Sequence, residues 1–184
     1  MAPNLLDRQF ACTAPNQVWV ADITYIPYIP TGEGWLYVAA VKDWHTCEIV
    51  GWSMDNRMTQ TLVMDALTAA YWKKKPAPGL KHHSDRGSQY CSASYRALQA
   101  SYGIQTSMSR KGNCWDNAPM ESFFGTIKTE SLPHYRFKTR ENAKRVIFEY
   151  IEGFYNRIRR HAKIGNQIPA DFAIQYYINN QIAA

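Results

Sequence analysis

Asp22 is a carboxylate inside a run of residues that favours a β-strand. Residues 18–25 mix β-branched and aromatic side chains, which is typical of a strand. A charge in the middle of an otherwise buried strand is costly unless it is paired or binds a cation. The side chain could instead face solvent at a sheet edge or cap a turn, and the residues alone leave both interpretations open.

Asp85 follows a second, shorter strand-like run at residues 80–83, within the segment HHSDRGS at 82–88. In an α/β sheet, functional groups gather where a strand ends before a glycine-containing loop. Strand alternation places His83 on the same side as Asp85. His83 could therefore lie next to the site residues and help to position them. It could also be a core histidine whose hydrogen bonds are satisfied, which is the commoner case.

Glu121 lies near the start of a predicted helix in the segment NAPMESFFGTIK at 117–128, where Pro119 suits the first turn. The apolar stripe of this helix consists of Met120, Phe123 and Ile127. Glu121, Gly125 and Lys128 share a different, polar face. A first-turn Glu is also favoured by the helix dipole alone, so Glu121 by itself indicates little.

Together the three carboxylates indicate more than each does alone. Mg²⁺ prefers hard oxygen ligands, including carboxylates and substrate phosphate. Two such ions ~3.5–4 Å apart can stabilise the attacking and leaving oxygens of a phosphoryl transfer. Two strands and a helix could bring Asp22, Asp85 and Glu121 to such a pair, although sequence spacing cannot establish that they meet.

The positive charge of the chain is concentrated in one stretch. The formal net charge is +6, and residues 136–163 hold nine Lys and Arg against three Asp and Glu. Such a concentration suits a polyanion such as DNA, because each neutralised phosphate releases condensed counterions. A solvated basic helix face is the other interpretation.

Bulk composition narrows the class of protein. With 184 residues, 46% of them hydrophobic, the chain can bury one sizeable core, so a single domain is expected. Its longest apolar run, residues 35–41, is too short to span a membrane, and its first residues lack the apolar core of a secretory signal. A cytoplasmic location is expected, with no membrane partner. The four widely spaced cysteines contain no Cys-x-x-Cys pair, which favours free thiols.

The order of elements predicts an α/β fold. Strand-like runs joined by short turns, an antiparallel meander, occupy residues 18–25, 35–42 and 47–54. Two further short strands are predicted at residues 80–83 and 104–107. Helical spacing begins after Thr59, at about Ser92, after Pro119 and at about Thr139. The result is a five-stranded mixed sheet, its first three strands antiparallel, flanked by helices.

The last and longest of these helices is predicted to run from about Thr139 to Arg159. Its predicted core positions are Ile147, Ile151, Phe154 and Ile158.

These motifs resemble the retroviral-integrase-like DDE transposases of the insertion sequence 3 family. The segment NQVWVADITY at 16–25 is similar to the family's first-Asp motif, and HHSDRGSQY at 82–90 is similar to its second. The segment at 107–124 resembles the approach to the family's Glu, and 35 residues separate Asp85 from Glu121, as in the family. The resemblance covers about residues 2–172.

The resemblance implies a ribonuclease-H-like fold and a polynucleotidyl transferase that needs Mg²⁺ or Mn²⁺, with two ions. It implies that Asp22, Asp85 and Glu121 are both catalytic residues and metal ligands. The activity implied is cleavage at transposon ends followed by joining of the 3′-hydroxyl to target DNA. DNA contacts are expected at Lys128, Arg110, Lys111, Asn117, Arg157, Arg159 and Arg160. DNA and further copies of this chain are the expected partners, and no small-molecule substrate is expected.

The chain departs from the family pattern in its first turn, which the tandem YIPYIP at 25–30 lengthens by three residues. The predicted organisation is an N-terminal extension at 1–15, a catalytic core at 16–175 and a C-terminal tail at 176–184. The family's N-terminal helix-turn-helix region is not in this sequence. The chain is therefore expected to bind DNA with little sequence preference, or to be a fragment of a larger protein.

Three alternative functions remain open. The first is a nuclease of the same fold that cuts without joining, and the second is a DNA-binding or assembly module whose site is inactive. The third is a zinc protein using His82, His83 and Cys91, whose spacing fits no standard zinc site.

Overall fold

The sheet has the predicted number and directions of strands. A computed structural model describes residues 2–6, 12–26, 33–110 and 117–182. Its strands are β1 (Val18–Ile26), β2 (Leu36–Asp43), β3 (Ile49–Asp55), β4 (Lys81–Ser84) and β5 (Gln105–Met108). They lie in the order β3-β2-β1-β4-β5, with β1 to β3 antiparallel and β4 and β5 parallel to β1. This confirms the five-stranded mixed sheet.

Helices connect and cover the strands. They are α1 (Gln60–Lys74), α2 (Ala93–Ser101), α3 (Ala118–Glu130), α4 (Arg140–Phe148) and α5 (Pro169–Ile182). A π-helical segment, Glu149–Tyr155, continues α4 without a break. No helix within the described ranges is long and apolar enough to cross a bilayer.

A separate hydrophobic core lies on each face of the sheet. Val20 and Ala40 belong to the core that includes side chains of α3, α4 and the π-helical segment. Trp19 and Ala21 belong to the other core, with side chains of α1 and α2. Because side chains alternate along a strand, Asp22 lies on the face of Val20, beneath α3.

The helix α1 crosses β3 at Gly51. A Cβ built on Gly51 would lie 2.5 Å from the backbone nitrogen of Ala70 and would also overlap the carbonyl oxygen of Ala66. A glycine is therefore required where the helix backbone meets the strand.

The prediction for the long C-terminal helix was partly wrong. Ile147 and Ile151 are fully buried, as predicted, but Phe154 is 38% exposed and Ile158 is 59% exposed. The π-helical segment explains the difference, because its hydrogen bonds span one residue more than those of an α-helix. The buried face therefore advances from Phe154 to Tyr155, which is 1% exposed.

Residues at both ends of the described chain belong to the folded body. Leu6 is 3% exposed within the core, and the Leu5 backbone N–H donates to Ser107 Oγ at 2.9 Å. The helix α5 runs through residues 175 and 176, where the core was predicted to end. Cys12, Cys47 and Cys91 are free thiols, as expected. The repeat at 27–30, Lys111 and Cys114 lie outside the described residues.

Candidate active site

Asp22 and Asp85 lie side by side because of the register of two parallel strands. On β1 and β4, Ala21 pairs with Ser84, so the next residue on each strand is an aspartate. Neighbouring strands lie about 4.8 Å apart, which places two carboxylates at the carboxyl end of β4. The sequence predicted each carboxylate separately, and the parallel pairing makes them neighbours.

Each aspartate is oriented by a backbone N–H. The Ile23 N–H donates to Asp22 Oδ1 at 2.8 Å, and the Gly87 N–H donates to Asp85 Oδ1 at 2.9 Å. A Cβ on Gly87 would lie 3.0 Å from Asp85 Oδ1, tighter than most real contacts. The glycine thus lets the loop after β4 close around the carboxylate.

The electrostatics of Asp22 connect the predicted site residues. The pKa of Asp22 is raised from its usual 3.8 to about 7, mainly by burial and additionally by the negative charges of Asp85 and Glu121. The hydrogen bond from Ile23 and the positive charge of Lys128 oppose this rise in the pKa. Asp22 therefore lies within electrostatic range of all three charged residues predicted to surround it.

Glu121 lies on the first turn of α3, where its side chain is exposed. The start of this helix is fixed to β1 by Asn117, whose Nδ2 donates to the carbonyl oxygen of Ala21 at 3.3 Å. Because Asn117 is only 5% exposed, it holds α3 beside Asp22 and is not presented to a phosphate. The expected contact of Asn117 with DNA stays a prediction.

The donor chemistry of this group suits a hard divalent cation, since all three side chains offer carboxylate oxygens. Across residues 2–6, 12–26, 33–110 and 117–182, no three Asp, Glu, His or Cys side chains are close enough together to hold one metal ion. Strand register thus makes Asp22 and Asp85 neighbours, and Glu121 on α3 lies within electrostatic range of Asp22.

Lys128 lies two turns after Glu121 on α3. Its Nζ is 5.6 Å from the ring centroid of Tyr25, a cation–π distance. Burial lowers the pKa of Lys128, while the charge of Asp22 raises it. The lysine therefore lies within electrostatic range of Asp22, and Tyr25 is a contact that the sequence did not reveal.

His83 is fully buried, and both ring nitrogens have partners. Nδ1 lies 2.8 Å from Ser107 Oγ, and Nε2 lies 3.2 Å from Ser109 Oγ. The carbonyl oxygen of Ser109 accepts from Arg86 Nε at 2.7 Å, which ties β5 to the loop that carries Asp85. His83 is thus a core histidine with both ring nitrogens hydrogen-bonded. One of its partners, Ser109, also holds the loop that carries Asp85.

The zinc alternative is wrong. His82 and His83 are consecutive strand residues and point to opposite faces of the sheet. His82 Nε2 lies 3.1 Å from the hydroxyl of Tyr95, and Cys91 Sγ lies 3.6 Å from the carbonyl oxygen of Arg86.

The other residues predicted to contact DNA differ in their exposure and in their contacts within the protein. Arg110, Arg157 and Arg160 are exposed, and Lys111 lies outside the described residues. Arg159 is held by Glu130, with Nε–Oε2 and Nη2–Oε1 distances of 2.9 and 2.7 Å. Its guanidinium is thus engaged within the protein, which the sequence pattern did not predict.

Comparisons of the sequence with known proteins identify its family. Residues 13–114 match the family described as integrase core domain, and residues 102–169 match a second family with the same description. The 31 kDa protein of insertion element IS600 from Shigella sonnei is 60% identical over 96% of the chain. The transposase for IS904 from Lactococcus lactis is 48% identical over 92% of the chain, and the transposase InsF for IS3A from Escherichia coli is 45% identical over 94%. The chain spans 64%, 66% and 59% of these relatives.

Solved structures share the fold. A chain of the simian T-cell lymphotropic virus intasome superposes with a TM-score of 0.72 at 15% identity, covering 88% of this chain and 55% of that one. The HTLV-2 integrase catalytic core, in complex with magnesium in a trimeric form, superposes with a TM-score of 0.66 at 16% identity, covering 89% and 99%. The fold is therefore ribonuclease-H-like, as the sequence resemblance implied.

Proposed function

This chain belongs to the integrase core domain family, in the branch of the insertion sequence 3 transposases, and from that premise we propose its reaction. It is the catalytic core of a DNA transposase that cleaves transposon ends and joins their 3′-hydroxyls to target DNA. The observation that supports this most directly is the register of β1 and β4, in which the paired residues Ala21 and Ser84 are followed by Asp22 and Asp85, with Asp22 within electrostatic range of Glu121.

Asp22, Asp85 and Glu121 would hold Mg²⁺ or Mn²⁺, in a pair of ions that, when bound, stabilise the attacking and leaving oxygens of the phosphoryl transfer. Burial and the repulsion from Asp85 and Glu121 raise the pKa of Asp22, so an ionised Asp22 is disfavoured unless a cation lies beside it. This favours binding of a metal ion by Asp22. No side chain is needed as a general base.

The residues around the carboxylates position the DNA. The Ile23 and Gly87 N–H groups orient Asp22 and Asp85. Lys128, braced on Tyr25, offers a positive charge for the phosphate next to the scissile bond. Arg157 and Arg160, exposed in the basic C-terminal stretch, offer further contacts to the DNA backbone.

We also propose the substrate, the oligomeric state and the cellular location. DNA, as transposon end and as target, is the substrate, and the chain works as a homo-oligomer in the cytoplasm, where bacterial DNA is accessible. An exposed apolar row on α5 supports self-association, since Ile174, Tyr177 and Ile178 are between 44% and 56% exposed.

The decisive experiment is a strand-transfer assay with Mg²⁺ and an oligonucleotide whose 3′ end is already cut. Asp85→Asn should lose joining and cleavage of an uncut end, because the amide keeps the acceptor for the Gly87 N–H but loses the charge that holds a cation. Asp65→Asn, on the exposed surface of α1, is the matched control and should retain both activities.

Joining by Asp85→Asn at the wild-type rate would refute the role of Asp85. Cleavage without joining by the wild-type chain would favour a nuclease of the same fold. A wild-type chain with neither activity, and with no Mg²⁺-dependent rise in its melting temperature, would favour a binding module. A metal that binds only the folded chain at about 100 times its Kd should stabilise it by about 2.7 kcal/mol.

A further inference from the structure

A cavity of about 590 Å³ lies between the end of β2, the first turn of α3 and the segment after the π-helical segment. Its lining includes four cationic side chains and one imidazole, which are Lys42, Arg159, Arg160, Lys163 and His161. Among the described residues that line it there is no Asp or Glu. A concave site with charges of one sign concentrates the opposite charge, so the cavity suits an anion.

Lys42 lines the cavity from the sheet. It is 6% exposed, and its Nζ makes one long hydrogen bond, 3.5 Å, to the carbonyl oxygen of Pro119. Within the part of the chain that the structure describes, no carboxylate forms a salt bridge with Lys42. Burial lowers the pKa of Lys42, Cys47 opposes this shift, and the charge of Arg159 adds to it. The ammonium also lies 5.9 Å from the ring centroid of Tyr155, a cation–π distance. A buried ammonium without a salt-bridge partner is costly, and an anion in the cavity would offset that cost.

His161 supplies a second unsatisfied group. It is 9% exposed, and its Nδ1 lies 3.4 Å from Arg159 Nη1. A guanidinium can only donate, so Nδ1 accepts and the ring proton of the neutral imidazole is on Nε2. Burial lowers the pKa of His161 to about 4, which keeps it neutral near pH 7. Nε2 is buried and has no hydrogen-bond partner, so it is an N–H donor without an acceptor.

The remaining lining adds to the same preference. Ala118, Pro119 and Ser122, from the first turn of α3, line the cavity. A helix N-terminus carries partial positive charge and backbone N–H groups without intrahelical partners. Arg160 is exposed, so an anion that enters from solvent meets its charge before it reaches Lys42 and His161. Lys163 also lines the cavity, but its ammonium lies over the Trp44 ring and donates to the Trp44 carbonyl oxygen.

We propose that this cavity binds a phosphate group of the DNA backbone, with Lys42 and His161 as donors from within and Arg160 at the entrance. The inference rests on the proposed function, because it extends the DNA path along α3 from Glu121. It also follows from the sheet register. Asp22 pairs with Ala40, and Lys42 lies two residues further along β2 on the same face, about 7 Å away along the strand. A DNA strand that passes Asp22 would therefore place a neighbouring phosphate in the cavity.

The test measures binding of a short fluorescent DNA duplex by anisotropy, in EDTA, over a series of salt concentrations. Lys42→Met keeps the length of the side chain and removes the charge. It should lower the affinity at 0.1 M salt by up to about tenfold and reduce the slope of log affinity against log salt by about one. Lys73→Met is the matched control, since Lys73 pairs with Glu152 on the surface, and should bind as the wild type does.

Inorganic phosphate distinguishes the two sources of the anion. It should raise the melting temperature of the wild-type chain, leave that of Lys42→Met unchanged, and compete with the duplex. If Lys42→Met fails to fold, Arg160→Gln at the exposed entrance takes its place, with the same expected loss of slope.

An unchanged salt slope in Lys42→Met overturns the proposal. If the slope is unchanged and phosphate nevertheless stabilises the wild type but not Lys42→Met, the cavity binds free phosphate and not DNA. Equal stabilisation of wild type and Lys42→Met by phosphate also overturns it, because the anion then binds elsewhere. Since no metal is present, a chain that proves inactive in strand transfer still yields a salt slope, so the two proposals fail separately.

Discussion

Replacing Asp22 with Asn should abolish strand transfer and, without metal, make the chain more stable. Asn keeps the acceptor for the Ile23 N–H and removes the charge that burial, Asp85 and Glu121 all disfavour. The folded-state pKa of about 7, against the usual 3.8, corresponds to a penalty of about 4 kcal/mol once the carboxylate is ionised in both states. Local relaxation around the charge makes this an upper limit.

The sign of the pH dependence follows from the raised pKa. Below about pH 3.8, Asp22 is protonated in the folded and unfolded chain, so it carries no penalty. The penalty grows as the pH rises and is complete above about 7. The gain in stability from Asp22→Asn should therefore be less than half as large at pH 5 as at pH 8.

The assay is thermal unfolding in EDTA at pH 5 and pH 8. One kcal/mol shifts the melting temperature of a chain of this size by about 2–4 °C, so Asp22→Asn should melt up to about 16 °C above the wild type at pH 8. Added Mg²⁺ should narrow the difference, because the wild type gains metal binding that the variant lacks. Asp65→Asn, on the exposed face of α1, should show the same small difference at both pH values.

An Asp22→Asn variant no more stable than the wild type at pH 8 in EDTA would refute this account of the site. The carboxylate would then be solvated, or distant from Asp85 and Glu121. A variant that is stabilised and still joins DNA would leave the electrostatics intact and refute the metal-holding role of Asp22.

Three further predictions concern the framework. Gly51→Ala should cost about 3 kcal/mol or more in the free energy of unfolding, because the new Cβ meets the α1 backbone at Ala66, whereas Gly125→Ala should not destabilise the chain, since a Cβ there has open space. Asn156→Ala should cost about 2–4 kcal/mol, because Oδ1 and Nδ2 of this buried side chain satisfy the N–H and C=O of Ile49. Glu130→Gln should lower stability by under about 1 kcal/mol near neutral pH and have less effect in acid.

Denaturant titrations measure all three. If Gly51→Ala matched Gly125→Ala, the close crossing of α1 over β3 would be wrong. An Asn156→Ala variant as stable as the wild type would show that water replaces both hydrogen bonds. For Glu130, its hydrogen bond from Arg159 lowers the pKa below its ordinary value. The stabilisation is therefore present above that value and lost as the pH falls through the folded pKa. An effect of Glu130→Gln that grew in acid would contradict this.

Local patterns in the sequence were sufficient for the class of fold and for the candidate carboxylates. Alternation and helical spacing are short-range signals, so the five strands and their order along the chain were predictable from them. The same short-range logic singled out Asp22, because a charge within an apolar strand needs a partner. Lys42 interrupts the apolar β2 in the same way, and that signal could have led to the basic cavity.

Tertiary structure decided everything that depends on residues far apart in the chain. The pairing of β1 with β4 makes Asp22 and Asp85 neighbours, although 62 residues lie between them in the sequence. The salt bridge to Glu130 removes Arg159 from the set of free basic residues, and Asn117 is buried against β1. Burial and long-range pairing determine both the partners and the pKa of a charged side chain, and neither is encoded in local spacing.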